Sequence, residues 1–133
     1  MQLVDALRNT LADAIDTDIG ATGFARFYTA SLTTLLASCS LNNPAFGAAA
    51  TGVITLDVTP AVEDTTPAAA GTAVRMTLHQ NSTAAAGAWR IQMGIATSGA
   101  PDITMSNNVI ATTDTVQISS LTITVPAGTP DVT

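Results

Sequence analysis

Between Gln2 and Ile19, Leu3, Val4, Leu7, Leu11, Ala14 and Ile15 recur at spacings of three and four. That period places them in one stripe of an α-helix. Asp5, Arg8, Asn9, Asp13 and Asp16 fall mostly on the opposite face. Asp5 lies near the start, where a negative charge suits the helix dipole. Gly20 and Gly23 end the pattern, and either can cap the helix. After Gly23 the apolar period changes from about four to two.

The period of two predicts strands. Phe24–Ala30 is a short one. Thr34–Leu41 alternates Leu35, Ala37, Cys39 and Leu41 against Leu36, Ser38 and Ser40. Gly52–Val58 carries Ile54, Leu56 and Val58 on one face. Thr72–Gln80 sets Val74, Met76 and Leu78 against Arg75, Thr77 and His79. Ala88–Ala96 sets Trp89, Ile91, Met93 and Ile95 against Arg90, Gln92 and Gly94. DITM and NVIAT form two short strands around a Ser106-Asn107-Asn108 turn. The segments between read as loops: Asn42–Gly52 with its Asn-Pro and glycines, Thr59–Thr72 where Pro60 and Pro67 stop pairing, and the turns NSTAAAGA and TSGAPD.

The last strand, TVQISSLTITVP from Thr115 to Pro126, changes parity in the middle. Val116 and Ile118 hold even positions, and Leu121, Ile123 and Val125 hold odd ones. A β-bulge at Ser119-Ser120 would keep all five side chains on one core face while bending the strand; the alternative is two strands with a turn at the serines. The fold expected is mainly β: an antiparallel β-sandwich, jelly-roll or Ig-like, preceded by one N-terminal amphipathic α-helix. Residues 1–22 read as a helical docking arm, 23–126 as the β-sandwich domain and 127–133 as a polar C-terminal tail. There is no βαβ alternation, so a parallel α/β fold is not expected.

Composition narrows the function. The 133 residues include 47 Thr and Ala, no lysine and four arginines, Arg8, Arg26, Arg75 and Arg90, against ten carboxylates, for a net charge of −6. Nucleic-acid binding needs clustered basic residues to displace counterions, so it is not expected. Anionic membrane surfaces are disfavoured for the same reason. No stretch is long and apolar enough to span a bilayer. The first residues lack the basic start and apolar run of a signal peptide, so the protein is expected to be made in the cytoplasm. Cys39 is the single cysteine, which rules out an internal disulfide. A surface poor in charge and rich in small neutral side chains suits close contact with other subunits, since such side chains lose little rotamer entropy on burial.

Catalytic candidates are few. His79 is the only histidine, and its place in an alternating strand reads as solvent-facing. Cys39 reads as a small core residue. No phosphate-binding loop, dinucleotide fingerprint, zinc-protease or serine-hydrolase motif occurs. Neither an enzyme nor a cofactor is expected. DAIDTDIG holds only a fragment of a calcium loop, so Asp13, Asp16 and Asp18 read as a solvated helix face. Arginine is enriched at interface centres, which makes Arg26 a candidate contact together with Tyr28 on the same strand face. Leu3, Leu7 and Leu11 on the helix and Phe46 in its loop complete the candidate interface. Tyr28 and Phe46 are also the aromatics that a carbohydrate-binding sandwich would expose.

The order of features carries a resemblance. LVDALRNTLADAID is followed by ARFYT, LNNPAFGAAATGVIT, GTAVRMT, GIATSGAPDITMSNNVI and TVQISSLTITVPAG. Over nearly its whole length the chain resembles a family of small virion-associated proteins encoded by tailed bacteriophages and prophages. Asn43–Ala48, Gly94–Asp102 and Ser120–Ala127 are the most specific pieces. The chain departs from the pattern near Asp57–Thr66, so no contact is carried over there. The resemblance implies a non-enzymatic structural protein of the virion. A capsid decoration or cement protein that binds the major capsid protein or other virion proteins, as a homo-oligomer or symmetric array, is the first expectation. A neck, tail or fibre subunit is the alternative.

Overall fold

A computed structural model describes residues 1–83, 85–99, 102–105 and 107–129, without the side chain of Thr104. Helix α1 spans Asp5–Ile19. The strands among the described residues are β1 (Phe24–Tyr28), β2 (Leu35–Ser40), β3 (Val53–Thr55), β4 (Val62–Asp64), β5 (Gly71–Thr72), β6 (Arg75–His79), β7 (Ile91–Ala96), β8 (Ile103–Thr104), β9 (Val109–Ile110), β10 (Val116–Ile118) and β11 (Thr122–Thr124). The protein is therefore mainly β, with antiparallel sheets and one N-terminal helix. The expected turns at TSGAPD, NSTAAAGA and Ser106, and the tail beyond Thr129, lie partly outside the described residues.

One sheet dominates, with strand order β2-β1-β6-β7-β8. Its pairs are antiparallel except β7–β8, which is parallel. The register sets Phe27 beside Met76 and Ala37, and Ala25 beside Leu78 and Cys39. These side chains share one face by the strand period of two, and all six are buried. The other strands form three separate two-stranded ladders, β10–β4, β11–β3 and β5–β9, and not a second continuous sheet. β4 and β10 pack against β2. There the Cys39 thiol donates to the Val116 carbonyl at 3.6 Å, and Val62, Val116 and Ile118 join the same core as Ala37 and Cys39.

Ladder β10–β4 settles the parity break. Ser119 and Ser120 belong to neither neighbouring strand and are exposed. β10 pairs with β4 while β11 pairs with β3, so the segment is two strands with different partners and not one bulged strand. Val116, Ile118 and Leu121 are all buried: the odd residue count turns the chain from one ladder to the next without losing the core. β4 itself lies inside the loop expected between Pro60 and Pro67. Its three residues are too few to show a period.

The centre of the large sheet also departs from expectation. Its second face, carrying Arg26, Tyr28, Thr77 and His79, was expected to face solvent, yet Thr77 and His79 are fully enclosed and Arg26 and Tyr28 nearly so. The Arg26 Nη2 donates to the carbonyl of Ser82, which ties a residue beyond β6 to this face. In the large sheet β7 keeps the expected alternation, with Met93 and Ile95 buried and Gln92 exposed. It starts at Ile91, so Trp89 lies outside it and is exposed, against the expectation that it joins the core.

A candidate docking face on the N-terminal helix

Helix α1 meets the β-body through one edge of the expected apolar stripe, at Ile15, and the adjoining part of the side expected to be polar. Ala12 and Ile19 are buried and Ile15 packs against the same core. Between and beside them, polar side chains make directed bonds. Asn9 Oδ1 accepts from the Gly52 N–H at 2.7 Å, Asp13 Oδ1 from Ala49 N–H at 2.7 Å, and Asp16 Oδ1 from Phe46 N–H at 2.8 Å. As the helix advances from 9 to 16, the 46–52 segment runs back from 52 to 46, so one helical face supplies acceptors to a loop that has no strand partner for those donors. This answers where that loop's backbone hydrogen bonds go. It corrects the reading of Asp16 as solvated, since Asp16 is half-buried, while Asp13 and Asp18 keep the exposure expected of them.

The two ends of the helix are tied as well. Arg8 Nε donates to Val125 O at 2.9 Å, and Nη1 of the same guanidinium pairs with Asp5 at 2.7 Å. Gly52 sits at φ +78°, and a Cβ there would lie 2.7 Å from Arg8 Nε and 2.8 Å from Val125 O. The absence of a side chain is what lets helix, loop and β11 converge. At the other end Gly20, at φ +70°, caps the helix by donating to Asp16 O at 3.0 Å. Arg90 donates to both oxygens of Asp18 at 2.6 Å. That bond holds the Asp18 carboxyl below its usual range and raises the guanidinium. Gln80 Nε2 adds a bond to Asp18 O at 2.8 Å. Leu3 N–H donates to Ala127 O at 2.7 Å, so the first residues pair with the segment after β11.

Fixing the helix by this side turns its apolar stripe outward. Val4, Leu7 and Leu11 are 69%, 46% and 44% exposed, and Ala6, Thr10, Ala14 and Thr17 beside them are exposed too. Leu3 is half-buried. The other expected contacts lie elsewhere: Arg26, Tyr28 and Phe46 are 6%, 3% and 2% exposed, so their side chains are spent on the protein's own interior. The same burial removes Tyr28 and Phe46 as a sugar platform and leaves Trp89 as the exposed aromatic.

The catalytic candidates are enclosed. His79 Nε2 lies 2.7 Å from Thr77 Oγ1, and its Nδ1 has no hydrogen-bond partner among the described residues. Burial, and then the nearby Arg26 charge, push its pKa below 6.5, so the ring is neutral. A proton on Nε2 serves Thr77 and leaves only a lone pair at Nδ1. Cys39 is fully buried; burial first, then Asp64 and Glu63, push its thiol up to about 12, which keeps it protonated. A cavity of about 210 Å³ has neither of them in its lining. Phe27, Met76, Ile118, Ser119, Ser120 and Leu121 are among the residues that line it, and none of its lining residues is charged. Among the described residues no group of three His, Cys, Asp or Glu side chains is placed to hold a metal, and no helix is long and apolar enough to cross a membrane.

No protein-family model matches the chain, and no curated protein or solved structure matches it either. The likeness to phage virion proteins therefore stands on the sequence features alone.

Proposed function

We propose that the protein is a non-enzymatic structural subunit that docks on neighbouring proteins through the outward face of α1. The observation that carries this reading is the exposed row Val4, Leu7 and Leu11 on a helix held rigidly by its opposite side. A contiguous exposed apolar row on an ordered element marks an interaction site, and a fixed helix binds without the entropy cost of ordering a loose one. The sequence resemblance assigns the setting: the phage virion, with the protein made in the host cytoplasm and placed on the head as a decoration or cement protein against the major capsid protein. The ladders packed beside the large sheet favour a compact antiparallel sandwich, jelly-roll or Ig-like, as the body that carries the helix. Weak contacts of this kind gain strength when many copies bind a symmetric shell.

The test uses point variants. Deleting the helix would strip Ala12 and Ile19 from the core and confound folding with binding. Purified protein is mixed with particles that lack it and sedimented. The wild type co-sediments, and Leu7→Asp and Leu11→Asp remain in the supernatant with unchanged circular dichroism. Undiminished sedimentation of both variants would remove α1 as the docking face.

A further inference from the structure

The cavity beside Ser119-Ser120 has a lining of two kinds. Phe27 and Met76, register partners across β1 and β6, line it together with Ile118 and Leu121, and all four are buried. Gln117, Ser119 and Ser120 also line it and are exposed. The apolar residues therefore mark its inner end and the polar ones its solvent end. The side chains of Gln117, Ser119 and Ser120 make no hydrogen bond among the described residues, so an amide and two hydroxyls there are open to a ligand. The two serines stand where the chain passes from the β4 ladder to the β3 ladder. No residue of α1 belongs to the lining.

We infer that this cavity binds a small uncharged molecule, a single aromatic ring carrying one hydroxyl or amide group. Charge sets the first requirement. The lining offers no arginine to pair an anion and no carboxylate to pair a cation, and a charge taken out of water without a partner is costly. Anions are opposed further by the net charge of −6 and by Asp114, which lines an adjoining cavity of about 340 Å³ that shares Met105, Asn107 and Gln117 with this one. Volume sets the size. A cavity of about 150 Å³ takes one benzene ring, so about 210 Å³ takes a ring with a small substituent. The apolar lining sets the ring. Met76 and Met105 carry flexible thioethers, which adapt to an aromatic ring and make favourable contacts at its edge. The polar end then sets the substituent. A ring gains by leaving water, while its hydroxyl or amide needs partners, which Gln117, Ser119 and Ser120 supply.

The inference goes beyond the docking reading and stands apart from it, since the test needs neither particles nor α1. The full chain has four methionines, Met1, Met76, Met93 and Met105, and two of them line the cavity. With methyl-13C methionine, the probe is phenol, titrated at neutral pH and followed by NMR. Saturable ring-current shifts are expected at Met76 and Met105, with Met1 unmoved and a Kd on the order of 1 mM, as suits so small a ligand. Benzoate, the same ring with a charge, is expected to give no saturable shift. Ser120→Leu, at an exposed position of the lining, is expected to weaken phenol by more than about tenfold with unchanged circular dichroism. Gln117→Leu, which removes the amide, is expected to weaken it severalfold. Absence of a saturable shift at Met76 and Met105 in the wild type would overturn the inference, and that result needs no variant to fold. Benzoate binding as tightly as phenol would overturn the uncharged ligand, and full phenol affinity in both variants would overturn the site.

Discussion

The middle of the large sheet and the N-terminal helix invert each other. On β6, a threonine and a histidine are wholly enclosed. On α1, two leucines stand almost half exposed while an arginine and three acceptor side chains face the body. Hydrophobicity alone would assign the opposite arrangement in both places. What decides each case is the supply of partners. At the sheet, Thr77 Oγ1 and His79 Nε2 share one bond, and the neutral ring leaves only a lone pair at Nδ1 without a partner among the described residues. At the helix, a loop with unpaired N–H groups needs acceptors, and Asn9, Asp13 and Asp16 provide them. Leaving the buried Phe46 and Gly52 N–H groups without acceptors would cost about 1–3 kcal/mol each, comparable with what burying two leucines on that side would gain.

The sharpest way to break this comparison is to remove matched leucine side chains from the two regions, beginning with the sheet. Leu78 is fully buried between β1 and β7. Leu78→Ala is expected to cost about 2–5 kcal/mol, combining lost transfer energy with a residual cavity. Chemical denaturation followed by circular dichroism measures it. A cost near zero would mean that the sheet centre is not the core it looks like.

Next in size is the histidine. Its folded pKa lies below the unfolded 6.5. Between those values the unfolded chain binds a proton that the folded chain does not, so stability is full above pH 6.5 and falls as the pH drops through that window. The slope for one such group is at most about 1.4 kcal/mol per pH unit. Denaturation midpoints at pH 7.5 and 5.5, on either side of the unfolded 6.5, are expected to separate for the wild type and to converge for His79→Asn. Asp18 does not mimic the effect. Its carboxyl is depressed by Arg90, so its contribution is present above the ordinary carboxylate range and disappears only at lower pH. A midpoint that does not move between the two pH values would show that the histidine is charged or accessible in the native state.

Sequence reading and structure part company where partners decide. β7 was legible because Met93 and Ile95 alternate with exposed Gln92 over a long run, a signal internal to the strand. The helix was legible as a helix, and the glycine that ends it was among those expected. Its orientation was not, because periodicity finds a stripe without saying what meets it, and the acceptors at 9, 13 and 16 acquire meaning only beside the amides of 52, 49 and 46. β4 was hidden by its length and its flanking prolines. Ser119-Ser120 was legible as a break and ambiguous in kind, since a bulge and a change of ladder produce the same parity shift. The burial of Arg26, Tyr28 and His79 is not legible because alternation predicts two faces without saying whether the second is covered, and a backbone acceptor such as the Ser82 carbonyl leaves no apolar signal. Of the candidate site, Leu7 and Leu11 are placed outward, while Arg26, Tyr28 and Phe46 are drawn inward.

The smallest expected effect is the other half of the leucine comparison. Leu11 presents 44% of its surface to solvent, and the helix beneath it is held by bonds that do not involve it. Leu11→Ser should therefore leave monomer stability within about ±0.5 kcal/mol, the range of ordinary surface changes, with helix propensity setting the sign. Measured beside Leu78→Ala, it isolates position from residue type. If Leu11→Ser destabilised the monomer as strongly as Leu78→Ala, the row on α1 would be core, and the reason for assigning it a partner would disappear. If it left the monomer unchanged while reducing particle binding, the same leucine would be shown to act between molecules and not within one. That outcome would make the inversion between sheet and helix a division of labour, with one region holding the chain together and the other holding it to its neighbours.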